Sequence, residues 1–273
     1  RLKSILNINQ GDLTIAGQVL STSGAFIKSG PGTLRYTYPG ENTLSLHQGS
    51  YPHVQDTSAS GDSPTVGFAG FNINDGTVIM GVPGQTNIVD GRILIGLCTT
   101  TNAGVETEGE LIINDGTVSC GNVGIGWNNG TAVTAGPEGT RSHLIMNGGL
   151  LDCNTFSVGM QNSGLVNYNA RPTFYQYGGV IKAAASLYMA ETAGAYATGL
   201  IAGGKFISTS NGSSVRLGGR GQAVLTVAGS GELEAKDDIV LAYQANGKGR
   251  LNLNGGIVRA RNIVKYSGPE SLL

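Results

Sequence analysis

Leu144-Ile145-Met146-Asn147-Gly148-Gly149-Leu150-Leu151-Asp152-Cys153 is one copy of a pattern that recurs along this 273-residue chain. The pattern is apolar-x-apolar-Asn-(Asp or Gly)-Gly-x-apolar-x-small. It returns as Phe71-Asn72-Ile73-Asn74-Asp75-Gly76-Thr77-Val78, as Leu111-Ile112-Ile113-Asn114-Asp115-Gly116-Thr117-Val118 and as Leu251-Asn252-Leu253-Asn254-Gly255-Gly256. Repetition on this scale marks a solenoid, in which each unit buries its apolar face against the next. The last glycine of each turn falls at Gly76, Gly116, Gly149, Gly179, Gly204, Gly231 and Gly256, with spacings of 40, 33, 30, 25, 27 and 25 residues. A floor of 25 residues suits three strands of about 5–6 residues joined by tight corners.

Two side-chain columns follow each glycine. Val78, Val118, Leu151, Ile181, Phe206, Leu233 and Val258 lie two residues after it. Met80, Cys120, Cys153, Ala183, Ser208, Ala235 and Ala260 lie four after it, and all but the first are small. Positions two apart on a strand share a face, so a large column and a small one point inward together and fill a narrow interior. A second strand follows in each coil. It reads Ile93-Leu94-Ile95-Gly96, Val123-Gly124-Ile125-Gly126, Phe156-Ser157-Val158-Gly159, Leu187-Tyr188-Met189-Ala190, Val215-Arg216-Leu217-Gly218 and Ile239-Val240-Leu241-Ala242. Its period is that of a strand, and the closing glycine supplies the positive φ of a sharp corner. Glycine and β-branched residues throughout argue against long helices. These readings predict an all-β chain, a parallel β-helix (β-solenoid) of about 25 residues per coil, right-handed by the crossover preference. One domain is expected over residues 1–273, with N-terminal coils over 1–70, a loop inserted at 44–70, regular coils over 71–266 and a tail at 267–273.

Composition narrows the function. The chain carries 45 Gly, 13% charged residues and a net charge of −1. Phosphate backbones need a basic face, so nucleic acid is not an expected partner. No apolar stretch approaches the ~20 residues that span a bilayer. The chain opens at Arg1 with no signal peptide, which reads as a mature form or a fragment of something longer. Cys120 and Cys153 share the small column on consecutive coils, about 4.8 Å apart. They read as stacked, buried, unreactive thiols, with a disulfide as the alternative. Cys98 lies past a strand end, and no zinc spacing is present.

The N-terminal segment has a character of its own. It runs Gly24-Ala25-Phe26-Ile27-Lys28-Ser29-Gly30-Pro31-Gly32-Thr33-Leu34, then Gly40-Glu41-Asn42-Thr43. Ile27, Lys28, Gly30, Gly32, Leu34, Gly40 and Asn42 resemble the autotransporter-associated β-strand repeat, and Ile73 to Val78 resembles that family's later strand. The resemblance implies a bacterial β-helix that is secreted or displayed at the cell surface.

The long insertions follow the second strand of each coil, at 97–110, 127–143, 160–173, 191–198, 219–224 and 243–250. They should emerge along one edge, where solenoids place binding surface. This edge carries Trp127, Asn128, Asn129, Arg141, His143, Tyr168, Arg171, Tyr196, Arg220 and Tyr243. Trp127, Arg141, Tyr168, Arg171, Tyr196, Arg220 and Tyr243 are the candidate ligand contacts, since aromatic rings beside Arg and Asn suit sugar faces and hydroxyls. The competing reading is that the rings pack each loop onto its own coil.

On the outward face, adjacent coils should set Asp152 beside Lys182 and Glu234 near Arg259. A polysaccharide lyase would need a base and cations at one sugar carbon, and Lys182, Arg216 and Arg220 are the residues available. A ladder of opposite charges explains the same residues. The acidic run Glu232, Glu234, Lys236, Asp237 and Asp238 offers few oxygens for calcium. His47, His53 and Asp56 fall in the 44–70 insertion, Gly218-Gly219-Arg220-Gly221 is a corner rather than a phosphate loop, and Asn74, Asn114, Asn147 and Asn254 read as turn residues able to stack. No catalytic residue, metal or cofactor is expected. The expected function is a non-enzymatic structural or adhesive module, secreted or at the cell surface, and a possible fibre segment. The alternative is a polysaccharide lyase or carbohydrate-binding β-helix. Glycans and the chain itself are the expected partners.

Overall fold

The computed structural model describes residues 3–20, 25–45, 70–96, 108–127, 141–160, 170–266 and 270–272. Among them no helix occurs, and strands pair in parallel within two sheets, one of 15 strands and one of 10. One coil shows the plan. His143–Met146 lies in the smaller sheet, the chain turns at Gly148 and Gly149, and Leu150–Val158 crosses the larger sheet. The chain then returns to the smaller sheet as Thr173–Gln176, directly over His143–Met146. In later coils the long crossing divides into two strands, such as Val180–Ala183 and Leu187–Met189. Each coil therefore has a turn corner leading into the larger sheet, a bend within that sheet, and a return corner back to the smaller one.

The interior is built of in-register files. Val118, Leu151, Ile181, Phe206 and Leu233 succeed one another and are fully buried, and Val258 closes the file half-buried. Beside them run Val89, Cys120, Cys153, Ala183, Ser208 and Ala235. Cys120 and Cys153 are free thiols. Burial, reinforced by the Asp152 carboxylate, pushes the Cys153 thiol up to about 12; burial also raises Cys120, so neither is a thiolate at neutral pH. A buried large side chain contributes about 1.5–3 kcal/mol and a surface ion pair at most about 1 kcal/mol. The files, not the surface charges, carry the stability.

The first copy of the pattern departs from the rest. Gly76–Met80 lies in the smaller sheet, with Val78 between Leu34 and Leu111 and Met80 against Ile113. Val78 and Met80 thus belong to a different wall from Val118 and Cys120. The Val118 file continues instead to Asn87 and Asn42. Gly76 serves a return corner, where a Cβ would lie 2.5 and 2.6 Å from the Gly30 and Gly32 carbonyl oxygens. Gly116, Gly149, Gly179 and Gly204 stack at the turn corner. Both corners need positive φ, 68° at Gly76 and 71° at Gly116, so one sequence pattern satisfies either. The N-terminal insertion is displaced too. The chain leaves the larger sheet at Glu41–Ser45 and re-enters at Gly70–Ile73, and these pair with the two halves of Thr86–Ile95. That insertion opens from the bend, not from the edge used by the later loops.

Buried polar groups tie the N-terminal coils together. Asn42 Nδ2 donates to Asn87 Oδ1 at 3.1 Å, and the Val19 N–H donates to Asn42 Oδ1 at 2.9 Å. Lys28 is fully buried, with its ammonium donating to the carbonyls of Ser29 at 3.3 Å, Asp75 at 2.8 Å and Gly30. It joins the return corners of two successive coils. Desolvation lowers its pKa, and the Asp75 carboxylate opposes the shift.

In the central coils the rings of Phe156, Phe174 and Phe206 meet edge-on or tilted, with centroids 5.3 to 6.1 Å apart. Gly199 sits between Phe174 and Leu225 in the smaller sheet, and a Cβ there would come within 2.3 Å of the Phe174 ring. Glycine makes the room that the larger ring fills. Gly199→Val should lower unfolding stability by about 1–3 kcal/mol, as overpacked cores do; urea denaturation followed by circular dichroism measures it.

Candidate functional site

The return corners open on residues in the left-handed region. They are Gly96, Gly126, Gly159, Ala190, Gly218 and Ala242, with φ of 54° at both alanines. For an L-residue this conformation costs about 1–2 kcal/mol, and such strain gathers at functional positions. The two alanines immediately precede Glu191 and Tyr243.

Parallel stacking continues past these corners. The Arg220 N–H donates to the Ala190 carbonyl at 3.1 Å, Tyr243 N–H to Gly218 at 3.1 Å, Gln244 N–H to Gly219 at 3.0 Å and Tyr266 N–H to Leu241 at 3.1 Å. The side chains are thereby brought into one patch. The Arg216 guanidinium lies between the rings of Tyr188 and Tyr243, 4.9 and 4.3 Å from their centroids. Tyr243 stacks in turn on Tyr266 at 5.5 Å. Arg220 Nε donates to Gln244 Oε1 at 2.7 Å. Gly219 leaves space for the neighbouring carboxyl, since a Cβ there would lie 2.8 Å from Glu191 Oε2.

Glu191 is the chemically distinctive member. Its Oε1 and the Arg216 Nε are both buried without a hydrogen-bond partner in the described structure, at a usual cost of about 1–3 kcal/mol per group. Burial raises the Glu191 pKa, while the charges of Arg216 and Arg220 pull it back. The patch presents two permanent cations against one carboxyl that resists ionising.

The candidates from the loop edge divide. Arg220 and Tyr243 enter the patch. Arg141 and Arg171 are exposed near other return corners, and Tyr196 is exposed at the start of Tyr196–Ile201 in the smaller sheet. Trp127 is not a ligand surface. Only 4% of it is exposed, and it packs on Leu94 and Met160 with Arg92 over its ring at 5.2 Å. Gly124 admits it, for a Cβ there would come within 2.6 Å of the indole. Tyr168, Asn128 and Asn129 lie outside the described residues, as do Cys98, His47, His53 and Asp56. Glu191, Tyr188 and Tyr266 were not singled out by sequence reasoning. The alanines that replace glycine at 190 and 242 were the available signal.

The proposed charge ladder forms, with altered partners. Lys182 pairs with Asp152 at 3.8 Å. Glu234 and Arg259 are in register, yet Arg259 pairs with Glu232, and Lys205 pairs with Glu234 and, at 3.3 Å, with Glu232. Lys182 lies on Val180–Ala183 and Arg216 on Ser213–Leu217 across the bend, so the three cations considered for a lyase do not converge. Asp237 and Asp238 are engaged by Arg261 at 2.7 and 3.1 Å, and the Gly212 N–H donates to Asp237. His143 Nδ1 lies 2.5 Å from Thr173 Oγ1. Asn147 donates to Asn114 at 2.8 Å, while Asn74 belongs to the other corner and does not join that stack. Among the described residues no three His, Cys, Asp or Glu gather as a metal site, and no helix is long and apolar enough to cross a membrane.

Comparison of the chain with protein-family models, with curated proteins and with solved structures finds no match in any of the three.

The raised Glu191 pKa has a defined consequence for stability. Between its ordinary value of 4.5 and its folded value, the folded state holds a proton that the unfolded state has released. Stability from this group is therefore full below 4.5 and is lost as pH rises through the folded value. Glu191→Gln should gain stability relative to the wild type at pH 8 but not at pH 4, and paired urea melts at the two pH values measure the difference.

Proposed function

We propose that the chain is a non-enzymatic structural and adhesive module of a bacterial secreted or cell-surface protein, a rod segment that presents its return corners to a partner. The observation that supports this reading is the use of the outward charges. Asp152 with Lys182, Lys205 with Glu232 and Glu234, Arg259 with Glu232, and Arg261 with Asp237 and Asp238 all join neighbouring coils. Charges spent in coil-to-coil pairs serve cohesion rather than chemistry. The residues resembling the autotransporter-associated repeat fit the same role, since Lys28, Gly30 and Gly32 build a return corner and Asn42 an internal ladder.

Self-association is the second part of this reading. Ile5, Leu13 and Leu20 are exposed in the early coils, and Leu253, Ile257 and Ile263 in the late ones, surfaces on which a further coil, of a longer chain or of a second copy, would stack. Light scattering over rising concentration should show a growing mass; a constant monomer mass overturns self-association. The lyase alternative has its own check. Acidic polysaccharides incubated with the protein should yield no ultraviolet absorbance from unsaturated product. Turnover that disappears in Arg220→Ala would replace the structural reading with an enzymatic one.

A further inference from the structure

The patch at the late return corners contains more than cohesion requires. Glu191 Oε1 is an acceptor and Arg216 Nε a donor, and both are buried without a partner in the described structure. Neither arginine makes an ion pair with Glu191, although their charges act on it. Both atoms are closed off from solvent, so an outside ligand meets the exposed groups around them instead.

Charge selects further. Arg216 and Arg220 lie beside the Glu191 carboxyl, which burial biases toward its neutral form, so two cations dominate this patch of a chain of net charge −1. Tyr188 and Tyr243 cover the two faces of the Arg216 guanidinium, leaving its rim for hydrogen bonds. Arg220 is held by Gln244 through Nε, leaving its terminal nitrogens for an outside partner. A planar fork of N–H donors matches a carboxylate. The ring of Tyr266, 66% exposed and backed by Tyr243, adds a flat apolar platform beside them, of the kind on which a sugar ring rests. The stacking of rings and guanidinium fixes these groups before any ligand arrives, which favours binding.

We propose that Arg216, Arg220 and Tyr266, set beside Glu191, form a binding surface for a carboxylated sugar unit, so that the glycan partner of this module is an acidic polysaccharide. The proposal deepens the adhesive reading and rests on it.

Calorimetric titration of the whole chain with polygalacturonate, and with the same polymer fully methyl-esterified, tests it. The free acid should bind, and the ester should bind at least about tenfold more weakly, because esterification removes only the charge recognised by the arginines. Arg220 is exposed, so Arg220→Ala should keep its thermal melt and lose about tenfold in affinity. Lys182→Ala, a cation paired elsewhere, should bind as the wild type does. Equal affinity for acid and ester removes the acidic assignment and leaves glycan adhesion standing. Binding to neither overturns this binding surface. Unchanged affinity in Arg220→Ala, an equal loss in Lys182→Ala, or binding of dextran sulfate in place of polygalacturonate each overturns the proposal.

Discussion

Register between successive coils is the constraint on which everything else rests. Parallel backbone hydrogen bonding sets each residue directly over its counterpart one coil earlier, at about 4.8 Å. Once that spacing is imposed, every position becomes part of a file, and each file must accept the same kind of side chain many times. The inward files answer with aliphatic and aromatic residues beside small ones, and where Phe174 enlarges one wall, Gly199 empties the space above it. The same register turns outward charges into ladders and sets Cys120 over Cys153.

Corners are where the coils differ. Most return corners use glycine for positive φ, and the stacked amide bonds continue around the bend. In the early coils this region is closed over by Trp127 and by the buried ammonium of Lys28. In the later coils alanine stands in the strained position before Glu191 and again before Tyr243. There the Arg216 cation is held between the rings of Tyr188 and Tyr243.

Much of the fold was legible because the period of a solenoid is written repeatedly. The large and small columns from Val118 to Ala235, the second strands from Ile93 to Leu241 and the pairing of Asp152 with Lys182 needed only alternation and spacing. The misplacement of Val78 and Met80 has a physical cause. Asn-Asp-Gly-Thr satisfies any corner that needs positive φ, so the motif marks a turn without saying which turn. Asn42 and Asn87 were hidden for the opposite reason, because a polar residue in an apolar file looks like an outward position until its amide partners are known.

The chain's own pattern of residues determined a parallel all-β stack, its coil length and the edge from which the loops after the second strands emerge, because those depend on local period and on glycine chemistry. Tertiary structure alone decided which corner each glycine occupies, that Trp127 is buried, and that Glu191, Arg216, Arg220 and Tyr243 share one patch. These depend on which coil lies over which and how far each loop displaces the chain between them, and contacts between residues some 25 to 50 positions apart leave no local trace in the order of amino acids.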